Sequence, residues 1–438
     1  MSASRRARPG CTPFCFRTPP GLRVRPARSA ASLSGACPPR TPTAPRTGTR
    51  SEGTPMAESP LTAARFTPRL PGPATRVTLP DGSRPWVVSR YADVRTVLSD
   101  PRFSADDQRP GFPRIISLPP APGWLSFLRM DPPRHTVLRR TLTAHFTVRR
   151  SETLRPEVER VTDGLLDAMA ESGPPADLVE CFALPLPSLV ICRLLGVPYE
   201  DHPMFQEHSR NITATDIPQE TALASADRME RYFAELLAAR HARPGDDLIS
   251  LVLAQQKAAA VTDEEIIAMA RLMLVAGHGT MADMIGMSVL TLLREPERAE
   301  ELRAAPELLR PAVEELMRYL SVVRNAITRV ATADVRLSDT VVAAGEGVIV
   351  ELCGANHDGE VFPEPGRFDP HRDPRGHVGF GYGIHQCIGQ ALARVELQVA
   401  LGGLLRRFPG LRLAAVPEEI VIHDQAVVAG PNTLPVTW

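Results

Sequence analysis

One long apolar segment limits what this chain can fold into. Thr262 is followed three residues later by Glu265, the pattern of a capping box at a helix start, and the apolar sequence continues to about Glu295. A helix of about 32 residues is about 48 Å long. It would be apolar on nearly every face, so it must cross the interior of a large protein. No segment offers about 18 uninterrupted apolar residues, and we therefore predict no membrane span.

A small-residue motif, Ala276-Gly277-His278-Gly279-Thr280, interrupts this segment. Each glycine within a helix costs about 1 kcal/mol relative to alanine. The few other polar residues of the segment include Arg271 and Asp283. A helix that tolerates such a motif in its middle must have a functional or packing reason for it.

A lone cysteine lies between glycines in the segment Phe380-Gly381-Tyr382-Gly383-Ile384-His385-Gln386-Cys387-Ile388-Gly389. Apolar residues then recur at helical spacing from Ile388 to Val399, which predicts that Cys387 lies at a helix N-terminus. Backbone N–H groups and the helix dipole stabilise negative charge there, so we expect a lowered thiol pKa. Such a thiolate is a metal ligand or a nucleophile, and a buried structural cysteine is the alternative.

Two charged pairs have the spacing of one helix face. His135 and Arg139 are four residues apart, soon after the prolines of a suitable helix start, and together they would form an anion site. Glu315 and Arg318 are three residues apart. Taken alone, each pair is more often a solvated surface feature. Their order along the chain, together with the two motifs above, gives them more weight.

The N-terminal segment differs in composition from the rest of the 438 residues. Residues 1–55 carry ten arginines and one acid, whereas the remainder carries 40 basic and 49 acidic residues. We predict that residues 1–55 are a disordered Arg/Pro-rich extension, or that Met56 is the true start; a basic arm that binds nucleic acid is the alternative. Residues 56–438 are predicted to form a single domain. Seven cysteines without regular spacing favour a reducing compartment.

The order Phe-x-x-Gly-x-x-x-Cys-x-Gly resembles the haem-ligand loop of the cytochrome P-450 family, with every fixed position filled. The Ala-Gly-x-x-Thr motif, the Glu-x-x-Arg pair and the helix of His135 follow the same family pattern. The resemblance covers roughly Leu61 to Trp438 and is strongest to soluble actinobacterial members. It implies a mainly α fold with a small β-rich lobe and a long central helix over the haem. The thiolate of Cys387 would hold the haem iron.

The resemblance also implies how the haem is held. Phe380 would shield the thiolate from water, Gly389 would let the backbone approach closely, and Ala276 would border the haem on the other side. Four residues are implied as anchors of the haem propionates: His135, Arg139, Arg329 and His385.

Two further groups of residues follow from the resemblance. Glu315 and Arg318 would form a buried charge network with Arg367, or with Arg372 as the alternative. The residues that line the substrate pocket would include Val323, Arg324 and Asn325. The last two would recognise a carboxylate or hydroxyl group, or else point to solvent.

The long helix departs from the family pattern at one position. The residue before the threonine is normally an acid, and this chain has Gly279 there. Thr280 keeps the hydroxyl that relays protons, but the carboxylate that resupplies them is missing. Asp283 lies three residues further, on the same helix face, so either it or a hydroxyl of the substrate would substitute. We expect slower or more substrate-dependent proton delivery, with more reducing equivalents lost as peroxide.

The implied enzyme is a haem-thiolate monooxygenase that inserts one atom of O2 into a lipophilic small molecule, in secondary metabolism or xenobiotic oxidation. Its cofactor would be heme b, with electrons from NAD(P)H through a ferredoxin and a ferredoxin reductase, because no Gly-rich nucleotide-binding unit is evident. The ferredoxin would dock on a basic proximal face that includes Arg134, Arg140, Arg149 and Arg150. We expect a cytoplasmic monomer without a nucleic-acid partner. The alternatives are a peroxide-dependent oxygenase and a haem protein that senses ligands without turnover.

Overall fold

The computed structural model describes residues 61–62, 72–116, 123–214, 217–324, 326–423 and 427–438. Two sequence predictions fall outside these residues, namely the extension at residues 1–55 and the pocket residue Asn325. The elements named below all belong to the described ranges.

Helices dominate the described chain. The N-terminal half contains α1 (Tyr91–Ser99), α2 (Arg134–Thr143), α3 (Val148–Ser172), α4 (Pro185–Leu195), α5 (His202–Thr213) and α6 (Gln219–Ala242). The C-terminal half contains α7 (Leu248–Ala259), α8 (Asp263–Arg294), α9 (Pro296–Ala304), α10 (Leu309–Leu320), α11 (Leu352–Asn356) and α12 (Gln390–Arg407).

The strands are short and form small sheets. They are β1 (Leu61–Thr62), β2 (Thr75–Arg76), β3 (Trp86–Val88), β4 (Phe103–Ser104), β5 (Ala176–Asp177), β6 (Ile327–Ala331), β7 (Val335–Arg336), β8 (Val341–Val342), β9 (Gly347–Val350), β10 (Arg412–Leu413), β11 (Val421–His423), β12 (Gly430–Pro431) and β13 (Pro435–Thr437). The largest sheet has the order β2-β3-β9-β6-β4, in which only β3 and β9 run parallel. A second sheet pairs β11 with β1 and β12.

Helix α8 forms the centre of the helical part, as predicted. It has 32 residues and begins with a complete capping box between Thr262 and Glu265. Among the described helices it alone is long and apolar enough to cross a membrane, and 67% of its most apolar stretch is buried by the rest of the protein. Helix α8 is buried as a core helix of the protein, because α4, α5, α6 and α12 all pack against it.

Two hydrophobic cores correspond to the predicted lobes. The larger core surrounds α8 and is built from most of the helices. The smaller core joins α1 to the five-stranded sheet through residues such as Val88, Val94 and Val348. The predicted fold class, mainly α with a small β-rich lobe, is confirmed.

The Glu-x-x-Arg pair of α10 is completely buried. Glu315 and Arg318 have no exposed side-chain area, and Arg318 Nε and Nη2 donate to the two carboxylate oxygens at 2.7 and 2.8 Å. The remaining donors of Arg318 reach the carbonyl oxygens of Asn356 at 2.7 Å and Pro365 at 2.9 Å. Every donor of the guanidinium is used, which is the condition under which a buried charge is tolerated.

The third member of this network is Arg372, and the prediction of Arg367 is wrong. Arg372 Nε donates to Glu315 Oε1 at 2.9 Å, and its side chain is 11% exposed. The side chain of Arg367 is 55% exposed and lies 3.7 Å from Glu364. A turn in which Arg367 N–H donates to the Glu364 carbonyl directs the Arg367 side chain outward. Only the Arg367 carbonyl faces the network, where it accepts from Arg318 at 3.3 Å.

Candidate active site

The cysteine loop is held in a narrow fold just before α12. The Cys387 N–H donates to the Phe380 carbonyl at 2.8 Å, which closes the loop. Gly383 has a φ of +72°, and a Cβ there would overlap the Leu98 carbonyl oxygen at the end of α1. A glycine is therefore required by both backbone angle and space. These contacts fix Cys387 immediately before α12, as predicted.

Cys387 has accessible surface, but protein surrounds its thiol on most sides. The thiol therefore faces an internal space rather than bulk solvent. Burial raises the pKa of the Cys387 thiol. The backbone N–H groups of Gly389 and Gln390, together with the charges of Arg139 and Arg394, lower it by less. The predicted lowering of this pKa is thus wrong for the free thiol, because desolvation outweighs the helix N-terminus. A thiolate here needs a further positive partner, such as a metal ion.

Two histidines lie together beside the cysteine loop. The rings of His135 and His385 are 4.3 Å apart. His135 is 2% exposed, yet neither of its ring nitrogens has a hydrogen bond of normal geometry, and His385 Nδ1 also lacks one. Burial lowers the pKa of His135 to about 4 and the pKa of His385 to about 2. Buried polar atoms without partners are rare, and they mark a place where another polar group fits.

Three arginines surround these histidines. Arg139 donates to the Gln386 carbonyl, and Arg329, which is 4% exposed, donates to the Thr328 carbonyl at 2.8 Å. Arg129 donates to Thr328 Oγ1 at 2.8 Å and to the Ala326 carbonyl at 3.2 Å. Burial lowers the pKa of Arg129 and of Arg329 to about 10.

Arg129 was not among the residues predicted from the sequence. It lies four residues before Pro133, at the prolines that precede α2, so its place beside this helix start was the signal that could have indicated it. Its relation to Arg329, which is 200 residues away along the chain, is made only by the folded structure.

The residues around Cys387 fit a haem. The guanidinium groups of Arg129, Arg139 and Arg329 collect positive charge in a buried place, where it is unfavourable without a counter-ion. The unpartnered nitrogens of His135 and His385 add donors at the same place. A group with two carboxylates satisfies this cluster, and an iron ion bound to it supplies the positive charge that the thiolate needs.

The middle of α8 has one open face. Ala276 is exposed although most of the helix is buried, and a Cβ on Gly279 would meet no atom within 4 Å. Gly277 has a packing reason instead, because a Cβ there would lie 3.2 Å from Ile191 of α4. At about 100° per residue, Ala276, Gly279 and Thr280 lie on the same side of the helix. The Thr280 hydroxyl on this side donates to the Ala276 carbonyl at 2.8 Å.

Asp283 continues this open face by one turn, and its partner was not predicted from the sequence. Its Oδ2 lies 3.3 Å from His423 Nε2 on β11, and His423 Nδ1 lies 3.1 Å from Asn432 Oδ1. A Cβ on Gly430 would overlap the Asp283 carboxylate. Burial lowers the pKa of His423, but the hydrogen bond and charge of Asp283 and the hydrogen bond to Asn432 together raise it by more, so the net direction is upward. Asp283 and His423 therefore form a hydrogen-bonded pair, which becomes an ion pair when His423 is protonated.

The predicted pocket segment crosses the tip of the β11–β12 hairpin. Val323 pairs with Val428 as an isolated bridge, and Arg324 N–H donates to the Val427 carbonyl at 3.0 Å. The Arg324 side chain is half-buried and interacts with the Cys353 thiol of α11, so it does not simply point to solvent.

The basic surface is smaller than predicted. Arg134 donates through Nε to Glu265 Oε1 at 2.6 Å, which joins α2 to the first turn of α8. This ion pair removes Arg134 from the set of available cations. Arg140 and Arg149 are exposed as predicted.

Comparison with known proteins identifies the family. The family model described as cytochrome P-450 matches residues 202–433. Cytochrome P-450-SU2 from Streptomyces griseolus is 50% identical over 373 residues, which cover 84% of this chain and 91% of that protein. The chain belongs to the cytochrome P-450 family.

Two further similarities agree with this assignment. Vitamin D3 dihydroxylase from Streptomyces griseolus is 46% identical to this cytochrome P-450 over 373 residues, covering 84% of this chain and 91% of that protein. The crystal structure of mycinamicin VIII C21 methyl hydroxylase from Micromonospora griseorubida, bound to mycinamicin VIII, has a TM-score of 0.80 and 42% identity, and the match covers 86% of this chain and 96% of that one. This cytochrome P-450 is a haem-thiolate monooxygenase, and its activity uses haem, O2 and transferred electrons.

Proposed function

We propose that Cys387 is the proximal ligand of a heme b, and that the enzyme hydroxylates or epoxidises a lipophilic small molecule. The observation that carries this proposal is the accessible Cys387 thiol beside a buried cluster of arginines and unpartnered histidines. The bound haem supplies the chemistry of O2 activation, in which one oxygen atom enters the substrate and the other leaves as water. Phe380, whose carbonyl accepts the Cys387 N–H, would shield the thiolate. Gly389 lies beside the sulfur, where a Cβ would be in ordinary contact at 3.9 Å.

The buried arginines and histidines beside the cysteine loop have a further role in this proposal. His135, Arg139, Arg329 and His385 bind the two propionates, as the sequence predicted, and Arg129 joins them from the loop before α2. The partners already present, such as the Gln386 and Thr328 carbonyls, orient the guanidinium groups. The propionates would neutralise a charge cluster that otherwise destabilises the fold.

Proton supply is proposed to run along the open face of α8. Thr280 holds a proton at its hydroxyl, and Gly279 leaves space beside it where family members have an acid. The Asp283–His423 pair lies one turn further along this face. Because the pKa of His423 is raised, its imidazolium form is populated closer to neutral pH and serves as a proton store. Water between Asp283 and Thr280 would complete the path.

Restoring the missing acid should improve catalysis. We expect Gly279→Glu to raise the ratio of product to NADPH consumed and to lower peroxide release, since a carboxylate next to Thr280 resupplies protons. The product rate should rise by up to about 100-fold, the lower end of what a positioned general acid contributes. Gly279→Ala is the matched control, because it adds helix propensity without a proton donor. Unchanged rate and coupling in Gly279→Glu on the true substrate would contradict the proposal, as would an equal gain in the alanine variant.

The proposed partners follow from the surface and from the relatives. Electrons would come from NAD(P)H through a ferredoxin reductase and a ferredoxin that docks near Arg140 and Arg149, both of which are exposed. We place the enzyme in the cytoplasm as a monomer, in secondary metabolism or xenobiotic oxidation. The names of the vitamin D3 dihydroxylase and the mycinamicin VIII hydroxylase support a large lipophilic substrate.

A ligand titration tests the substrate class. The purified ferric protein is titrated with macrolides, terpenoids, steroids and small aromatic acids while the Soret band is recorded. A saturable shift toward high spin is expected for a lipophilic ligand that displaces water from the haem. The same ligand should then give oxygenated product with NADPH and an added redox pair. Turnover with peroxide alone would favour the peroxide-dependent alternative, and binding without turnover in either assay would favour a sensor.

A further inference from the structure

A bidentate ion pair joins α10 to α12 on the side of the cysteine loop. Arg394 Nε and Nη2 donate to the two oxygens of Glu314 at 2.5 and 3.0 Å. Arg394 Nη1 also donates to the Gln390 carbonyl in the first turn of α12, at 3.2 Å. Glu314 is the neighbour of Glu315 in the sequence but points to a different side of α10, so this pair is separate from the buried network of Arg318.

His377 connects this pair to the start of the cysteine loop. Its Nδ1 accepts the Gly379 N–H at 3.1 Å, which assigns the ring proton to Nε2. His377 Nε2 then donates to Glu314 Oε2 at 3.1 Å. The loop cannot move outward at this point without breaking these bonds. Gly379 also packs closely on α10, because a Cβ there would lie 2.6 Å from the Met317 carbonyl.

Arg394 also acts on the loop through Phe380. Its guanidinium carbon lies 4.5 Å from the centre of the Phe380 ring, a cation–π contact. The carbonyl of the same Phe380 accepts the Cys387 N–H at 2.8 Å. Arg394 is therefore one contact removed from the backbone that holds the sulfur, and its charge acts against the desolvation that raises the Cys387 pKa.

We propose that Glu314, His377 and Arg394 form a charge brace that sets the electrostatic environment of Cys387 and thereby how readily the bound haem accepts an electron. This inference rests on the proposed role of Cys387 as the haem ligand. All three are positioning residues, because they act on the Cys387 loop through Phe380 and Gly379. In the brace, Glu314 neutralises much of the Arg394 charge as felt at the sulfur, and His377 holds Glu314 in place.

The brace predicts opposite effects for its two charged members. Reduction adds one electron to the haem–thiolate unit, so a nearby positive charge favours the reduced form and a negative charge opposes it. Glu314→Gln leaves the Arg394 charge uncompensated and should raise the reduction potential. Arg394→Gln leaves the Glu314 charge uncompensated and should lower it. A purely structural role would give changes of the same sign in both variants.

The experiment is a spectroelectrochemical titration of the holoenzyme. At the wild-type midpoint potential, we expect the ratio of reduced to oxidised haem to rise at least about threefold in Glu314→Gln and to fall at least about threefold in Arg394→Gln. Glu300→Gln is the matched control, since Glu300 belongs to an exposed pair with Arg303 on α9, and it should leave the ratio unchanged. Shifts in the same direction, or no shift in either variant, would overturn the proposal.

Charge-conserving variants separate the electrostatic role from a structural one. Arg394→Lys keeps the charge but loses the two-pronged contact, so we expect a near-wild-type potential with lower thermal stability. If the glutamine variants do not retain haem, Arg394→Lys and Glu314→Asp are measured instead. Loss of haem in these charge-conserving variants, or a change of about threefold in their ratio of reduced to oxidised haem, would overturn the brace. A wild-type ferrous–CO complex without a thiolate-type Soret band would instead overturn the role of Cys387, whereas a normal band with unchanged potentials overturns only the brace.

Discussion

Replacing Cys387 with serine is expected to reduce monooxygenase turnover more than about 100-fold while the fold is retained. Loss of an outer partner of a metal ligand typically costs about 10- to 100-fold in activity, and loss of the ligand itself should cost more. Serine keeps the size of the side chain and the N–H contacts from Gly389 and Gln390, but its hydroxyl does not donate the electron density of a thiolate. The measurements are product formation with an added redox pair and the CO-difference spectrum of the reduced protein.

A second cysteine provides the control for this result. Cys181 is a half-buried cysteine outside the loop, so Cys181→Ser should keep both turnover and the thiolate-type spectrum. Far-UV circular dichroism should be unchanged in both variants. If Cys387→Ser retained wild-type turnover and spectrum, another residue would have to be the haem ligand.

Features that depend on local sequence could be predicted. The start of α8 is fixed by hydrogen bonds between Thr262 and Glu265, which are three residues apart, so the capping box could be recognised in the sequence. The helix that follows has the predicted length. The turn before α12 likewise depends on glycines beside Cys387. In both cases the interacting groups are close along the chain, and the pattern of residue types carries the geometry.

Features that depend on tertiary packing could not be predicted. His423 meets Asp283 across 140 residues, and the contact exists only because β12 packs on α8 where Gly430 leaves room. The protein that surrounds the Cys387 thiol raises its pKa by desolvation, and this increase exceeds the decrease caused by the local helix N-terminus. The sequence also does not show which way a side chain in a turn points. For this reason Arg367 was predicted as the third member of the network, whereas Arg372 occupies that place.

We expect substitutions of three arginines in and beside the buried network to lower the free energy of unfolding by different amounts. Arg318→Met should lower the free energy of unfolding by about 3–5 kcal/mol. It leaves the buried Glu315 carboxylate with only the hydrogen bonds from Arg372 and the Asp369 N–H, and it leaves the Asn356 and Pro365 carbonyls without this donor. Arg372→Met should lower it by about 1–3 kcal/mol, since Glu315 then keeps its two bonds to Arg318. The measurement is urea unfolding of the holoenzyme, followed by circular dichroism and by haem release.

Arg367→Met is the matched control, and it decides between the two arginines. Its side chain is 55% exposed and pairs only with Glu364 at 3.7 Å, so its loss should change the free energy of unfolding by no more than about 0.5 kcal/mol. The Arg367 carbonyl, which accepts from Arg318, is unaffected by the substitution. A loss in Arg367→Met as large as in Arg318→Met would mean that the Arg367 side chain, and not that of Arg372, completes the network in solution. The expected order of damage, Arg318 then Arg372 then Arg367, follows the number of buried hydrogen bonds that each side chain makes, because the charge of Glu315 stays buried in all three variants.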